Sequence, residues 1–221
     1  MHATSALVES AQRDVHPRLQ ASLRRHFDSE WQQPVHAPSA RAFQLLHTML
    51  KEDARPLILD SGCGTGDSTL QLAAHFPQHW VIGIDQSAAR LQRHAPHGIA
   101  RIDNAILLRA ELASFWRLFL AAGWHAERHF LLYPNPWPKP AQLGRRWHGH
   151  PVFPVLMNTA DQFELRSNWH VYAAEFALAL GHAGYAGVAA EAYDCVAPLT
   201  PFERKYRDSG HALWRVATQR A

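Results

Sequence analysis

The chain has 221 residues, a mass of 24.9 kDa and a formal net charge of +3. Hydrophobic residues make up 47% of it and charged residues 19%, which excludes a disordered or collagen-like chain. Two cysteines, Cys63 and Cys195, are too few for a disulfide framework, so we expect reduced thiols and a cytoplasmic protein. The most apolar stretch, residues 171–190, carries Glu175 and His182, so we expect no membrane contact.

The elements alternate along the chain after a polar start. Residues 1–35 are predicted to form a helical extension and residues 36–221 one domain. Helical spacing is predicted over residues 39–52, 67–76, 86–94, 111–122, 152–157 and 169–180. Strands are predicted over residues 56–60, 80–84, 105–108, 128–133, 162–166, 187–192 and 211–218. This order predicts an α/β, Rossmann-like fold: a seven-stranded, mostly parallel sheet with helices on both faces and ligands at the carboxyl ends of its strands.

A glycine-rich loop follows the first predicted strand. Asp60 ends that strand, and Gly62, Gly64 and Gly66 come before the next helix. Glycines here let the backbone turn tightly and approach a ligand. Asp85 ends the second strand, where a carboxylate can accept hydrogen bonds from ribose hydroxyls. The pattern predicts a nucleoside site.

The spacing of these glycines distinguishes between nucleotides. A dinucleotide site carries G-x-G-x-x-G, whereas Gly66 comes one residue earlier here, which disfavours a nicotinamide protein. The D-x-G-x-G-x-G form resembles the first motif of class I methyltransferases that use S-adenosylmethionine. The resemblance implies that Asp60 and the glycines lie near the methionine end and Asp85 on the ribose. It also implies that Arg109, Ala110 and Glu111 flank the adenine.

A second unusual segment is Tyr133–Pro140, which we call the proline loop. Its prolines fix the backbone and remove donors, so that its carbonyls are fixed acceptors. Asn135 adds an amide, and Trp137 offers a face on which a base can stack. Lys139, Arg145 and Arg146 supply cations for phosphate. The segment predicts a nucleic-acid substrate.

Three segments together resemble a specific family. Pro134–Lys139 resembles the P-D-P-W-x-K motif of bacterial tRNA (guanine-N7-)-methyltransferases. Residues 167–172, with Asn168, are similar to the T-D-x-x-x-Y segment of that family, and residues 200–204 to its T-x-F-E segment. The resemblance implies methyl transfer from S-adenosylmethionine to N7 of guanine 46 in tRNA. It places Asn135 at the catalytic site and against the cofactor, and Asn168, Thr200, Glu203 and Arg204 on the tRNA side.

The chain departs from that family at two acids. Asn135 and Asn168 stand where the family has aspartates, which leaves the acceptor open. The order N-P-x-W is also similar to the motif of enzymes that methylate exocyclic amines, so another RNA, DNA, protein or small-molecule acceptor is an alternative. A non-enzymatic RNA-binding relative is a further one. For Thr200 and Glu203 the alternative role is a capping box at a helix start.

No pattern of metal ligands is present. The 16 histidines show no spacing such as H-E-x-x-H, and we expect no metal. The expected partner is tRNA, with the protein a monomer or a homodimer.

Overall fold

The structure is a computed structural model that describes residues 5–218. Helices and strands alternate through this range. The α-helices are α1 (Leu19–Phe27), α2 (Ala37–Leu50), α3 (Asp67–His75), α4 (Ala88–Leu91), α5 (Leu112–Ala121), α6 (Phe153–Met157), α7 (His170–His182) and α8 (Pro201–Asp208). The strands are β1 (Leu57–Ser61), β2 (Trp80–Asp85), β3 (Ile99–Ile102), β4 (Ala105–Arg109), β5 (Ala126–Leu132), β6 (Ala160–Ser167), β7 (Glu191–Ala192) and β8 (Trp214–Ala217). Short 3-10 helices cover Pro140–Arg145 and Trp147–Gly149.

The chain divides into two compact units. The glycine-loop unit comprises Gln33–Leu132 and Asn158–Gln162, and the proline-loop unit comprises residues 5–32, Tyr133–Met157 and residues 163–218. The predicted division into an extension over residues 1–35 and one domain over residues 36–221 stays a prediction. The beginning of the chain groups with the C-terminal half because α1 packs there: the ring of Phe27 lies 6.2 Å from that of Phe153 and 5.2 Å from that of His182.

The sheet of the glycine-loop unit has the order β3-β4-β2-β1-β5. Strands β4, β2, β1 and β5 are parallel, and β3 pairs antiparallel with β4 at the edge. The central strands β1 and β2 are almost wholly buried, as expected for apolar runs covered on both faces. Helix α2 packs on α5 through Phe43 and Phe115, whose rings are 5.7 Å apart. The carboxyl ends of β1, β2 and β4 therefore lie along one edge.

The proline-loop unit carries antiparallel pairs. Strand β8 lies between β6 and β7, with Leu165 opposite Val216 and Glu191 opposite Arg215. Helix α7 buries Tyr172, Phe176 and Leu180.

Three sequence predictions need correction. The described residues form eight strands rather than seven, because the edge strand β3 was not predicted. The predicted strand over residues 187–192 is reduced to the two residues of β7. Helix α8 was predicted only as a possible cap. The C-terminal pairs are antiparallel, and the predicted α/β class with a mostly parallel sheet is confirmed.

Candidate active site

The glycine loop presents an open concave backbone. Gly62 N–H donates to the carbonyl oxygen of Ile84 at 2.7 Å, which turns the chain back over the end of β2. Gly62 and Gly64 have φ values of +79° and +61°, and a Cβ added at either would meet nothing within 4 Å. Gly66 caps α3 in the left-handed region, and a Cβ there would lie 2.8 Å from the side chain of Leu107. The first two glycines thus face open space, and the third allows the helix to approach the sheet.

Asp60 is a buried carboxylate with one oxygen free. Its Oδ2 accepts hydrogen bonds from Ser68 Oγ at 2.6 Å and Thr69 Oγ1 at 2.7 Å. Its Oδ1 is buried and has no hydrogen-bond partner among the described residues. Burial raises the pKa of this carboxyl from 3.8 to about 6. A cationic group at Oδ1 would satisfy the orphaned acceptor and favour the ionised form.

Asp85 joins the end of β2 to the glycine loop. Its Oδ2 accepts from Gly64 N–H at 3.0 Å, and its Oδ1 accepts from Ser87 N–H at 2.8 Å. The residue as a whole is 3% exposed. Each carboxylate oxygen has two acceptor positions, so that ribose hydroxyls have an acceptor here.

A cavity of about 580 Å³ lies beside this edge. One wall is formed by the ends of β2 and β4, with Gln86, Arg109 and Ala110. The opposite wall comes from α2 and includes Ala42 and Leu45, which the sequence analysis did not identify. Leu45 is 57% exposed although it is a large apolar residue. Leu45 lies on α2 outside the stripe of residues that the helix buries. A leucine at such a position was a feature that could have indicated this wall of the cavity.

The three residues predicted to flank adenine have different surroundings. Arg109 is exposed, and its Nε donates to the carbonyl oxygen of Gln86 at 3.3 Å. Ala110 is buried, and its N–H donates to the carbonyl oxygen of Asp85 at 3.1 Å. Glu111 lines the cavity, but its two carboxylate oxygens cap α5 by accepting from the N–H groups of residues 113 and 114. Its carboxylate therefore has a structural role that the resemblance did not imply.

The residues of this unit fit S-adenosylmethionine. Asp60 offers an unpaired acceptor to an ammonium group, the glycine loop offers open space, and Asp85 offers acceptors to a ribose. The cavity lies next along the same edge and has both apolar and polar walls. The fit rests on the unpaired buried oxygen of Asp60, the open glycine backbone and the mixed lining of the cavity.

The proline loop adopts a fixed, unusual backbone. Tyr133 and Trp137 both lie in the left-handed region, with φ values of 53° and 46°. Non-glycine residues in this region cost about 1–3 kcal/mol each and persist only where the surrounding structure holds them. Asn135 is exposed, and its Oδ1 accepts from Trp137 N–H at 3.4 Å. The loop therefore presents an accessible amide on a restrained backbone.

The three cations predicted to bind phosphate differ in their exposure. Lys139 and Arg145 are exposed, and the Arg145 guanidinium lies 4.8 Å from the centre of the Trp137 ring. Arg146 instead has no exposed surface. Its Nη1 donates to Glu175 Oε2 at 2.6 Å, and its Nε and Nη2 donate to the Trp137 carbonyl oxygen at 3.2 and 3.1 Å. Arg146 is thus not available to phosphate.

Glu175 is ionised at the centre of this buried cluster. Burial by itself raises its pKa, but hydrogen bonds from His148 and Arg146 and the charge of Arg146 outweigh burial and lower the pKa. Burial lowers the pKa of His148, so its neutral ring donates from Nε2 to Glu175 at 2.8 Å. The cluster balances one carboxylate with one guanidinium.

Thr200 and Glu203 form a helix start and a second buried cluster. Thr200 Oγ1 accepts from Glu203 N–H at 2.9 Å and caps α8. The Glu203 carboxylate is buried and accepts from Arg166 Nη1 at 2.9 Å, from the hydroxyl of Tyr133 at 3.0 Å and from the hydroxyl of Tyr193. Burial opposes ionisation here, but the Tyr193 hydrogen bond and the Arg166 charge lower the pKa of Glu203. Glu203 therefore holds the start of the proline loop and does not face solvent.

The last two predicted substrate residues lie in the same unit. The amide nitrogen of Asn168 lies 3.2 Å from Nδ1 of His211, whose Nε2 is 3.0 Å from the carbonyl oxygen of Ser5. Arg204 is exposed on α8. Asn168 is thus engaged internally, whereas Arg204 is available to a partner.

Three negative findings apply to residues 5–218. No helix there is long and apolar enough to cross a membrane. No group of three or more His, Cys, Asp or Glu side chains in that range is arranged to hold a metal ion. Neither cysteine is in a disulfide, and Cys63 packs in an apolar cluster with Leu91, Ala95 and Leu107.

Comparisons with known proteins identify the family of this chain. A family model described as "Putative methyltransferase" (Methyltransf_4) matches residues 54–216. The tRNA (guanine-N(7)-)-methyltransferase of Nitrosococcus oceani is 27% identical over 179 residues, which are 74% of this chain and 71% of the relative. The trans-aconitate 2-methyltransferase of Deinococcus radiodurans is 32% identical over 140 residues, 54% of this chain and 49% of the relative.

A solved structure extends the comparison to the fold. The 16S rRNA methyltransferase KamB superposes with a TM-score of 0.56 at 15% identity, over 80% of this chain and 91% of KamB. The predictions of a class I methyltransferase fold and of S-adenosylmethionine as cofactor are confirmed, and the chain belongs to the Methyltransf_4 family of methyltransferases.

Proposed function

We propose that this chain transfers the methyl group of S-adenosylmethionine to N7 of a guanine in tRNA, at position 46 of the variable loop. The observation that carries the proposal is the proline loop: a fixed backbone with an exposed amide at Asn135, an aromatic face at Trp137 and exposed cations at Lys139 and Arg145. The activity named for the Nitrosococcus oceani relative, which matches most of this chain, supports the same acceptor.

The cofactor is assigned to the residues of the glycine-loop unit. Asp60 Oδ1 accepts from the ammonium group, and Asp85 accepts from the ribose. The cavity walled by Ala110 and Leu45 takes the adenine. When bound, the sulfonium supplies an activated methyl group. The role of these residues is to orient it and to exclude water, because a fixed geometry removes much of the entropic barrier to transfer.

The acceptor chemistry requires positioning rather than a base. N7 of guanine has a lone pair and no proton to lose, so that no side chain has to act as a general base. The Asn135 amide oxygen accepts from the N1–H or N2–H edge, and the Trp137 ring stacks on the base, worth about 1–3 kcal/mol. Lys139, Arg145 and Arg204 bind phosphates and fix the orientation of the RNA.

The test is labelled methyl transfer to bulk tRNA followed by nucleoside mapping. The expected product is N7-methylguanosine at position 46. Label in N7-methylguanosine at another position would overturn the position but keep the reaction. Binding of S-adenosylhomocysteine, measured on the same preparation, shows that the cofactor site is intact. A protein that binds S-adenosylhomocysteine and forms no N7-methylguanosine would contradict the proposal.

A second acceptor class is favoured by one observation. An asparagine followed by proline, with its amide exposed, can hold an exocyclic amino group through its oxygen and a carbonyl. The same mapping separates the two, because an exocyclic product carries the label on N2 of guanine or N6 of adenine and leaves N7 unmodified.

A further inference from the structure

The N-terminal segment Ser5–His16 contacts the proline loop and the cluster beneath it. Ser10 Oγ donates to the Pro138 carbonyl oxygen at 2.5 Å. Farther along, Gln12 Nε2 and the backbone N–H of His16 donate to Glu175 Oε1 at 2.7 and 2.9 Å. At its beginning, Ser5 N–H donates to Ser209 Oγ at 3.0 Å. The segment is therefore fastened at several points of the proline-loop unit, although it has no helix or strand of its own before α1.

Gln12 completes the hydrogen bonding of the buried cluster. The Glu175 carboxylate accepts four hydrogen bonds, from Gln12, His16, Arg146 and His148, which fills its acceptor capacity. Arg146 Nη2 donates to Gln12 Oε1 at 3.0 Å as well as to the Trp137 carbonyl oxygen. One amide side chain thus bridges the carboxylate and the guanidinium.

The same guanidinium fixes Trp137. It donates twice to the Trp137 carbonyl oxygen and lies 4.9 Å from the ring centre of Trp169, so that hydrogen bonds and a ring contact together hold it in place. Trp137 lies in the left-handed region, which a tryptophan leaves unless it is restrained. The direction in which the Trp137 side chain leaves the backbone therefore depends on the hydrogen bonds from Arg146.

We propose that the N-terminal segment is part of the substrate site and that Gln12 is a positioning residue: acting through Arg146, it fixes the backbone of Trp137 and with it the ring that receives the base. This role rests on the proposed function, since it concerns the same loop. It assigns a task to a segment for which the motifs of the chain give none.

Gln12→Ala is the informative variant. Removing Arg146 or Glu175 leaves a buried charge unpaired and can unfold the protein. Gln12 is neutral and only half-buried, so its loss loosens the cluster and leaves the charge pair in place. Gln20→Ala is the matched control, because Gln20 lies in the same N-terminal region on the exposed side of α1.

Hydrogen exchange tests the restraint without reference to any substrate. Gln12→Ala should raise the exchange rate of peptides covering residues 133–139 by about tenfold, a loss of about 1.4 kcal/mol in local stability. Peptides covering residues 60–69 should not change, and Gln20→Ala should match the wild type everywhere. Unchanged exchange of the proline loop in Gln12→Ala would overturn the proposal.

Steady-state kinetics test the positioning role. Gln12→Ala should raise KM for tRNA by about tenfold, with the affinity for S-adenosylhomocysteine within about twofold of wild type. Gln12→Glu should be worse than Gln12→Ala, because it puts a second carboxylate against Glu175. If Gln12→Ala speeds hydrogen exchange in the proline loop but leaves KM and kcat for tRNA unaltered, the proposed role in substrate positioning is overturned. A wild-type protein that methylates no tRNA contradicts the proposed function instead, and salt-sensitive tRNA binding by the two variants then decides the role of Gln12.

Discussion

Replacing Asp60 by asparagine should stabilise the protein and weaken its hold on the cofactor. Burial raises the pKa of Asp60 from 3.8 to about 6, which means that the folded state holds the proton more tightly than the unfolded state does. Stability from this group is therefore fully present below about pH 3.8 and is lost as the pH rises through about 6. At neutral pH the wild type retains a buried, ionised carboxylate with one unpaired oxygen.

The size of the effect follows from the shift. A difference of about two pH units at about 1.4 kcal/mol each gives up to about 3 kcal/mol of destabilisation at about pH 7.5, and about half of that at about pH 5. The asparagine side chain would keep an acceptor for Ser68 and Thr69 and remove the charge. We therefore expect Asp60→Asn to gain up to about 3 kcal/mol in the absence of the cofactor, less at lower pH.

Two measurements check this expectation. Urea unfolding at the two pH values gives the change in the free energy of unfolding, and calorimetry with S-adenosylmethionine gives the affinity. The variant should be more stable and should bind more weakly, because the ammonium group loses an ionised partner. For the wild type, the affinity should rise with pH through about 6. Asp161→Asn, a change at an exposed residue of β6, is the control and should leave both quantities nearly unaltered. A variant less stable than wild type at both pH values would refute the reasoning.

Three further changes have defined outcomes. Leu45→Asp should raise the dissociation constant of S-adenosylhomocysteine by about tenfold, whereas Met49→Asp, one turn later on α2 and outside the cavity, should leave it unchanged in calorimetry. Replacing Lys139 and Arg145 by alanine should lower the salt slope of tRNA binding by about two, and an unchanged slope would show that RNA docks elsewhere. Asn135→Asp should methylate guanine N7 at least as fast as wild type in single-turnover experiments, because a charged acceptor binds the N1–H and N2–H edge more strongly. A large loss of rate would contradict the assignment of Asn135 as the base-edge acceptor.

The glycine-loop unit was largely predictable because its signals are local. A buried apolar strand, three glycines and an immediately following helix fix where Asp60 lies, whatever the rest of the chain does. Parallel strands end at one edge, so that Asp85 is brought to the glycine loop by topology alone, and the hydrogen bond from Gly64 is observed. The sequence did not predict strand β3 because the strand is short. It is a strand only through its antiparallel pairing with β4, and the turn between the two strands has Asp103 at a φ of 52°.

The proline-loop unit depended on contacts that no local pattern contains. Arg145 and Arg146 are adjacent and chemically identical, and the sequence predicted the same role for both. Their positions differ in the tertiary structure. Arg146 is buried and donates to Glu175, which is 29 residues away along the chain. Arg145 is exposed and lies over the ring of Trp137.

The sequence by itself therefore determined the fold class, the place of the glycine loop beside Asp85, and the proline loop as the segment proposed to bind the substrate. Only the tertiary structure decided which of the predicted residues are exposed and which are buried and hold others in place. A buried charge requires a partner, and that partner is found by packing rather than by spacing. The same reason applies to Glu203, which a motif placed on the substrate side and which Arg166 and Tyr133 hold in the interior.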